Sequence, residues 1–125
     1  MKNLIIDAAN DKIVFLVITE KQSYTTTHTN SRENFDKFMN LLLIFLKKNK
    51  INLDDISRIF VNRGPGKFSG VRISISVAKA ISLSKNITLI GFEPKFLKNG
   101  NYNKLLEMDK KNLLIKDLIK PLYSS

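Results

Sequence analysis

The sequence predicts one α/β domain with a five-stranded mixed sheet, three antiparallel strands continued by two parallel ones, and helices on the faces. Three observations carry this. First, three β-branched or aromatic runs follow one another in the N-terminal quarter, separated only by short polar turns, which is the spacing of an antiparallel meander. Second, from Asn30 the apolar period changes to steps of three and four, and later strand-like runs are separated by helix-length segments, as parallel crossovers require. Third, residues 61–72 gather three of the chain's five glycines where a strand gives way to a helix.

Asn3 to Ala9 reads as a short buried strand ending in the turn Asp7-Ala8-Ala9-Asn10-Asp11-Lys12. Ile13–Ile18 is the second strand. Ser23–Thr29 is the third, its threonines favouring an extended, half-exposed segment. A helix then starts at a capping Ser31, with Glu33 and Asp36 in its first turn and Phe35, Phe38, Met39, Leu42, Phe45 and Leu46 at helical spacing. Lys47, Lys48 and Lys50 complement its C-terminal dipole. Ile56–Val61 is the fourth strand. The helix from Phe68 to about Ser84 carries one stripe of Ile73, Val77 and Ile81, another of Val71, Ile75 and Ala78, and a narrow strip of small residues, Gly70, Ser74 and Ala78. Both helices are more apolar than one sheet face requires. Thr88–Phe92 is the last strand, followed by a Lys/Asn-rich stretch from Glu93 to Asn103 and a helix over about 104–120 with Leu105, Met108, Leu113 and Leu114 inward.

At 125 residues and 43% apolar content the chain can bury one ordinary core. It has no cysteine, which excludes a disulfide framework and thiolate zinc sites. Its N-terminus lacks the layout of a signal peptide and its longest apolar run, Leu41–Leu46, is far short of a membrane span, so a cytoplasmic protein without membrane contact is expected. The net charge of +10 is uneven: residues 1–46 hold five cations and five anions, and residues 47–125 sixteen and six. Such asymmetry suits an RNA-facing surface, but seventeen of the twenty-one cations are Lys in an Asn- and Ile-rich chain, which compositional bias explains equally well.

Pro65 fixes φ near the helical value, while Gly64 and Gly66 permit a sharp reversal and close approach by another backbone. The helix beyond opens with Phe68, Ser69 and Gly70, and its free N–H groups and dipole lie among Arg63, Lys67 and Arg72. The loop therefore reads as an anion-binding or partner-contacting corner, with a purely structural turn as the alternative. It is neither a Walker A loop nor a G-x-G-x-x-G fingerprint.

Arg63-Gly64-Pro65-Gly66-Lys67-Phe68-Ser69-Gly70-Val71-Arg72-Ile73, followed by Ser76-Val77-Ala78-Lys79-Ala80 and Ile90-Gly91, resembles the signature of the TsaB (YeaZ) family, a subunit of the bacterial machinery for threonylcarbamoyladenosine in tRNA. The resemblance runs from Leu4-Ile5-Ile6-Asp7 to about Phe92. It implies an RNase H-like lobe of the actin-like ATPase superfamily, of which a complete member has two. Lys120-Pro121-Leu122-Tyr123 resembles a P-x-Y element near the family's C-terminus, so residues 93–125 are expected to form a helical tail in place of the second lobe.

The resemblance also implies a non-catalytic scaffold paired with a catalytic TsaD-like subunit and a TsaE-like ATPase, with ATP and divalent metal belonging to those partners and no intrinsic cofactor. Phe35, Phe38, Leu42 and Phe45, with Val71, Ser74, Ile75 and Ala78, are the expected partner interface, since large exposed apolar patches are rare on monomers. Homodimerisation and tRNA contact through the complex stay open. Asp7 occupies the place where active actin-like members hold a metal-nucleotide, but Ala8-Ala9 stand where the family keeps hydroxyls, so a turn-forming Asp is the better reading. His28 is the single histidine and reads as a strand-edge residue. The other readings are an actin-like nucleotide-binding ATPase and a stand-alone basic RNA-binding module, the latter without any RNP, KH or zinc motif.

Overall fold

The sheet is built outward from its first strand, β1 (Lys2–Asp7), which pairs antiparallel with β2 (Lys12–Ile18) on one side and parallel with β4 (Ile56–Asn62) on the other. This is a computed structural model, and it describes residues 1–97, 100–116 and 119–122. β3 (Ser23–Thr29) continues the meander at one edge, and β5 (Thr88–Phe92) lies parallel to β4. The mixed architecture and the order of elements are those expected. The strand count is six rather than five, because Ile115–Lys116 form β6 antiparallel to Ile90 and Gly91, giving the order β3-β2-β1-β4-β5-β6.

Buried strands need apolar residues on both faces, and β1 supplies them in alternation. Leu4 and Ile6 point to one side, where Phe15, Ile59 and Leu89 pack under two helices; Ile5 points to the other, against Leu16, Phe60, Ile90, Phe92 and Leu105.

The predicted first helix divides into α1 (Arg32–Asp36) and α2 (Phe38–Lys48). Ser31 caps it as expected, its Oγ accepting from the N–H of Asn34 at 3.4 Å. The break falls at Lys37, whose φ of −121° leaves the helical region, and it restarts the apolar phase at Phe38 so that Phe38, Leu42, Phe45 and Leu46 all reach the sheet. α3 (Phe68–Lys85) ends on Asn86 in the left-handed region at φ 53°. α4 (Asn103–Lys110) is much shorter than the predicted helix over 104–120. Asn112 adopts φ 56° and the N–H of Leu113 reaches back to the carbonyl of Met108, which closes the helix and turns the chain towards β6. Leu105 and Leu114 are inward as expected, whereas Leu113 is 60% exposed. Tyr123 of the predicted P-x-Y element and residues 117–118 of the predicted helix lie outside the described residues. Among the described residues no helix is long and apolar enough to cross a membrane.

Candidate functional site

Parallel strands β1 and β4 end side by side, and this brings the first turn, the glycine loop and the start of α3 to one corner of the sheet. Asp7, at the end of β1, is only 4% exposed. Its Oδ1 accepts from the backbone N–H of Ala9 at 3.3 Å and from Asn62 Nδ2 at 3.0 Å, and its Oδ2 accepts from the Tyr102 hydroxyl at 2.7 Å. Asp7 is thus the turn-forming residue expected, and more: it ties β1 to β4 and to the segment carrying α4. Asn62 passes the link onward, its Oδ1 accepting from the N–H of Gly64 at 2.9 Å. Burial first, then the adjacent Asp7 charge and hydrogen bond, push the Tyr102 hydroxyl above the ordinary tyrosine value of 10.0.

The glycine loop is held by backbone contacts on three sides. Gly64 has φ 90°, a region that favours glycine, and precedes Pro65 through a cis peptide bond. The N–H of Lys67 donates to the carbonyl of Ala9, the N–H of Arg63 to that of Phe92, and the N–H of Leu122 to the carbonyl of Arg63. A Cβ on Gly66 would lie 2.6 Å from both the Cβ and the carbonyl oxygen of Ala9, so the small residues Ala9 and Gly66 are two halves of one close approach.

The three cations of this corner differ in their engagements. Lys67 Nζ pairs with Asp11 at 2.8 Å, and this contact holds the Asp11 carboxyl below the usual carboxylate value of 3.8. Arg72 lies over the ring of Phe68, 5.9 Å from its centroid, and Phe68 is 52% exposed. Arg63 is half-buried, and its aliphatic stem lies beside Gly91. Pro65 and Ser69 are exposed, Gly70 is buried.

The expected partner residues face inward. Phe38, Leu42, Phe45, Val71, Ser74, Ile75 and Ala78 are all at most 4% exposed, and Phe35 packs partly buried against the same core. The second apolar face of each helix is therefore covered within the chain, and the strip Gly70, Ser74, Ala78 lies on the inner side of α3, where Ser74 Oγ donates to the carbonyl of Val71. The outer side of α3 carries Ser69, Arg72, Ser76, Ala80 and Leu83, and that of α2 carries Asn40, Leu43, Ile44 and Lys47. Leu83 is 84% exposed and Ile44 62%. Sequence reasoning missed Asn62 and Tyr102, and it named Leu122 within the P-x-Y element without its bond to Arg63 in the glycine loop. An Asn two residues before Gly64 is a detectable turn signal; Tyr102, 95 residues from Asp7, gave none.

The family model described as TsaD, tRNA N6-adenosine threonylcarbamoyltransferase, matches residues 17–93, which include the glycine loop. The chain is 34% identical over 88 residues to the tRNA threonylcarbamoyladenosine biosynthesis protein TsaB of Buchnera aphidicola subsp. Schizaphis graminum, covering 70% of this chain and 42% of that one. It thus spans about two fifths of that relative's length. Among solved structures, YeaZ from Pseudomonas aeruginosa superposes with a TM-score of 0.68 at 20% identity, over 74% of this chain and 43% of that one. RuvC of Thermus thermophilus superposes at 0.53 and 12% identity over 90% of this chain and 80% of that one. Both likenesses establish the RNase H-like fold.

Proposed function

This chain belongs to the family of TsaD and TsaB proteins, and from that premise we propose that it is a non-catalytic scaffold subunit in the biosynthesis of N6-threonylcarbamoyladenosine in tRNA. The observation that carries the reading is the state of Asp7. Both oxygens of this carboxylate are taken by donors of the chain itself, from Ala9, Asn62 and Tyr102, and Ala8 and Ala9 offer no hydroxyl beside it. The residues present do not fit a metal-nucleotide, since binding one would require breaking a buried network and leaving its donors unsatisfied. Among the described residues no group of three or more His, Asp or Glu side chains could hold a metal ion.

A TsaD-like subunit is the catalytic partner in this proposal, with ATP and metal held there or by a TsaE-like ATPase. Support for pairing comes from the outer face of α2 and α3, where Leu43 and Leu83 are exposed and Ala80 leaves room for close approach. Co-expression with the TsaD homologue of the same organism, followed by size-exclusion chromatography, tests it: co-elution is expected, and separate elution of two folded proteins overturns it.

A further inference from the structure

Antiparallel pairing leaves every second residue of an edge strand with its backbone N–H and C=O directed outward, and in β3 the residues can be named. Asn30 donates to the carbonyl of Asp11 at one end of the β2–β3 ladder and Thr19 to that of Gln22 at the other. In the same register Ile13 faces His28, Phe15 faces Thr26 and Val17 faces Tyr24, so these are the bonded pairs. The N–H and C=O groups of Ser23, Thr25 and Thr27 therefore point away from the sheet, and no described strand pairs with them. Exposed edges are normally blunted by lysine, proline, a bulge or short length. β3 has seven residues, neither Lys nor Pro, and an unshifted register with β2.

A groove of about 290 Å³ runs beside this edge, between β3 and α2. It is lined by Thr26 and His28 of β3 and by Leu41, Ile44, Phe45 and Lys48 of α2. Ile44 is 62% exposed, and Lys48 has no ion-pair partner among the described residues. Among the described residues no acidic side chain lines the groove. A bare strand edge flanked by an apolar groove is the geometry by which extended peptides are added to a sheet, the backbone supplying affinity and alternate side chains supplying selectivity.

We propose that this edge binds an extended acidic segment of another protein as a seventh strand, with apolar side chains against Leu41, Ile44 and Phe45 and carboxylates towards Lys48. Charge decides against a second copy of this chain as the occupant. Each copy carries +10, and β3 itself brings no acidic residue to meet Lys48.

The test uses the full chain and two synthetic peptides, acetyl-Glu-Val-Glu-Val-Glu-Val-Glu-amide and its lysine counterpart, read by NMR shifts and hydrogen exchange of individual amides. The glutamate peptide is expected to slow exchange at Ser23, Thr25 and Thr27, and the lysine peptide to leave it unchanged. Thr25→Pro removes one outward donor at an edge position that tolerates proline, and Ile44→Glu puts a like charge in the groove; each should weaken the glutamate peptide several-fold. Should Thr25→Pro fail to fold, Ile44→Glu decides alone, since its side chain is already exposed. No protection at millimolar glutamate peptide, equal protection by both peptides, or unaltered binding by folded Ile44→Glu overturns the proposal. Protection that grows with protein concentration in the absence of peptide also overturns it, and assigns the edge to a second copy.

Discussion

Asp7 receives hydrogen bonds from three different parts of the chain, so its partners are where single substitutions should be felt. Tyr102→Phe leaves Asp7 Oδ2 without its hydroxyl donor and should cost about 1–2 kcal/mol at neutral pH, read as a shift in urea midpoint. The pH dependence has a definite sign. The folded state keeps the Tyr102 proton to higher pH than the unfolded chain, which releases it around the ordinary value of 10.0. The hydroxyl's contribution is therefore complete below that pH and falls as pH rises through the folded value. Stability of the wild type should decline more steeply above about pH 10 than that of Tyr102→Phe, and parallel declines would contradict this assignment. At Gly66 an added methyl meets Ala9, so Gly66→Ala should destabilise by about 1–3 kcal/mol in thermal unfolding. Arg63→Ala and Lys67→Ala should differ. The half-buried Arg63 packs its stem beside Gly91 and its loss should lower the thermal midpoint, whereas Lys67 joins only an exposed pair and should leave it nearly unchanged. The turn role of Asp7 and the tight loop were legible because Asp, Gly and Pro act through local backbone geometry. Tyr102 and the bond from Asn62 to Asp7 act across the fold, and local pattern carries no such information; only the bond of Asn62 to Gly64 is local.

At the scale of elements, periodicity located β3 and β5 to the residue, since alternation and β-branching are local and both strands are bounded by polar or loop residues. It failed where a few residues of backbone change direction. Lys37 interrupts the first helix without glycine or proline, and Asn112 ends α4 by taking up a left-handed conformation that Leu113 and Leu114 gave no reason to expect. Counting apolar residues also overestimated the free surface of α2 and α3. Both helices pack on the sheet and on each other, which covers the stripes of Phe38, Leu42, Val71, Ile75 and Ala78. The helices therefore make opposite predictions on their two sides. Ala78→Arg forces a charge into a fully buried site and should unfold the domain, seen as loss of the cooperative thermal transition. Ala80→Arg on the outer side should leave stability within about 0.5 kcal/mol and act only on association.

At the scale of the molecule, one sheet is covered on both faces by residues of this chain. α2 and α3 cover one side; α4 and its flanks cover the other through Phe96, Leu105 and Leu114, and the backbone of Leu122 is bonded to Arg63 in the glycine loop. The positive charge of the later residues is partly neutralised inside the fold, since Arg58 and Lys116 both reach Asp109, which is buried. The central claim is that this lobe acts by association, through the outer face of α2 and α3, and not by nucleotide chemistry at the end of β1. Isothermal titration of the TsaD homologue of the same organism into the wild type and into Ala80→Arg tests that claim most directly. Saturable binding by the wild type and its loss in a folded Ala80→Arg variant are the predicted result; equal affinities for the two, or no binding by either, would contradict the account.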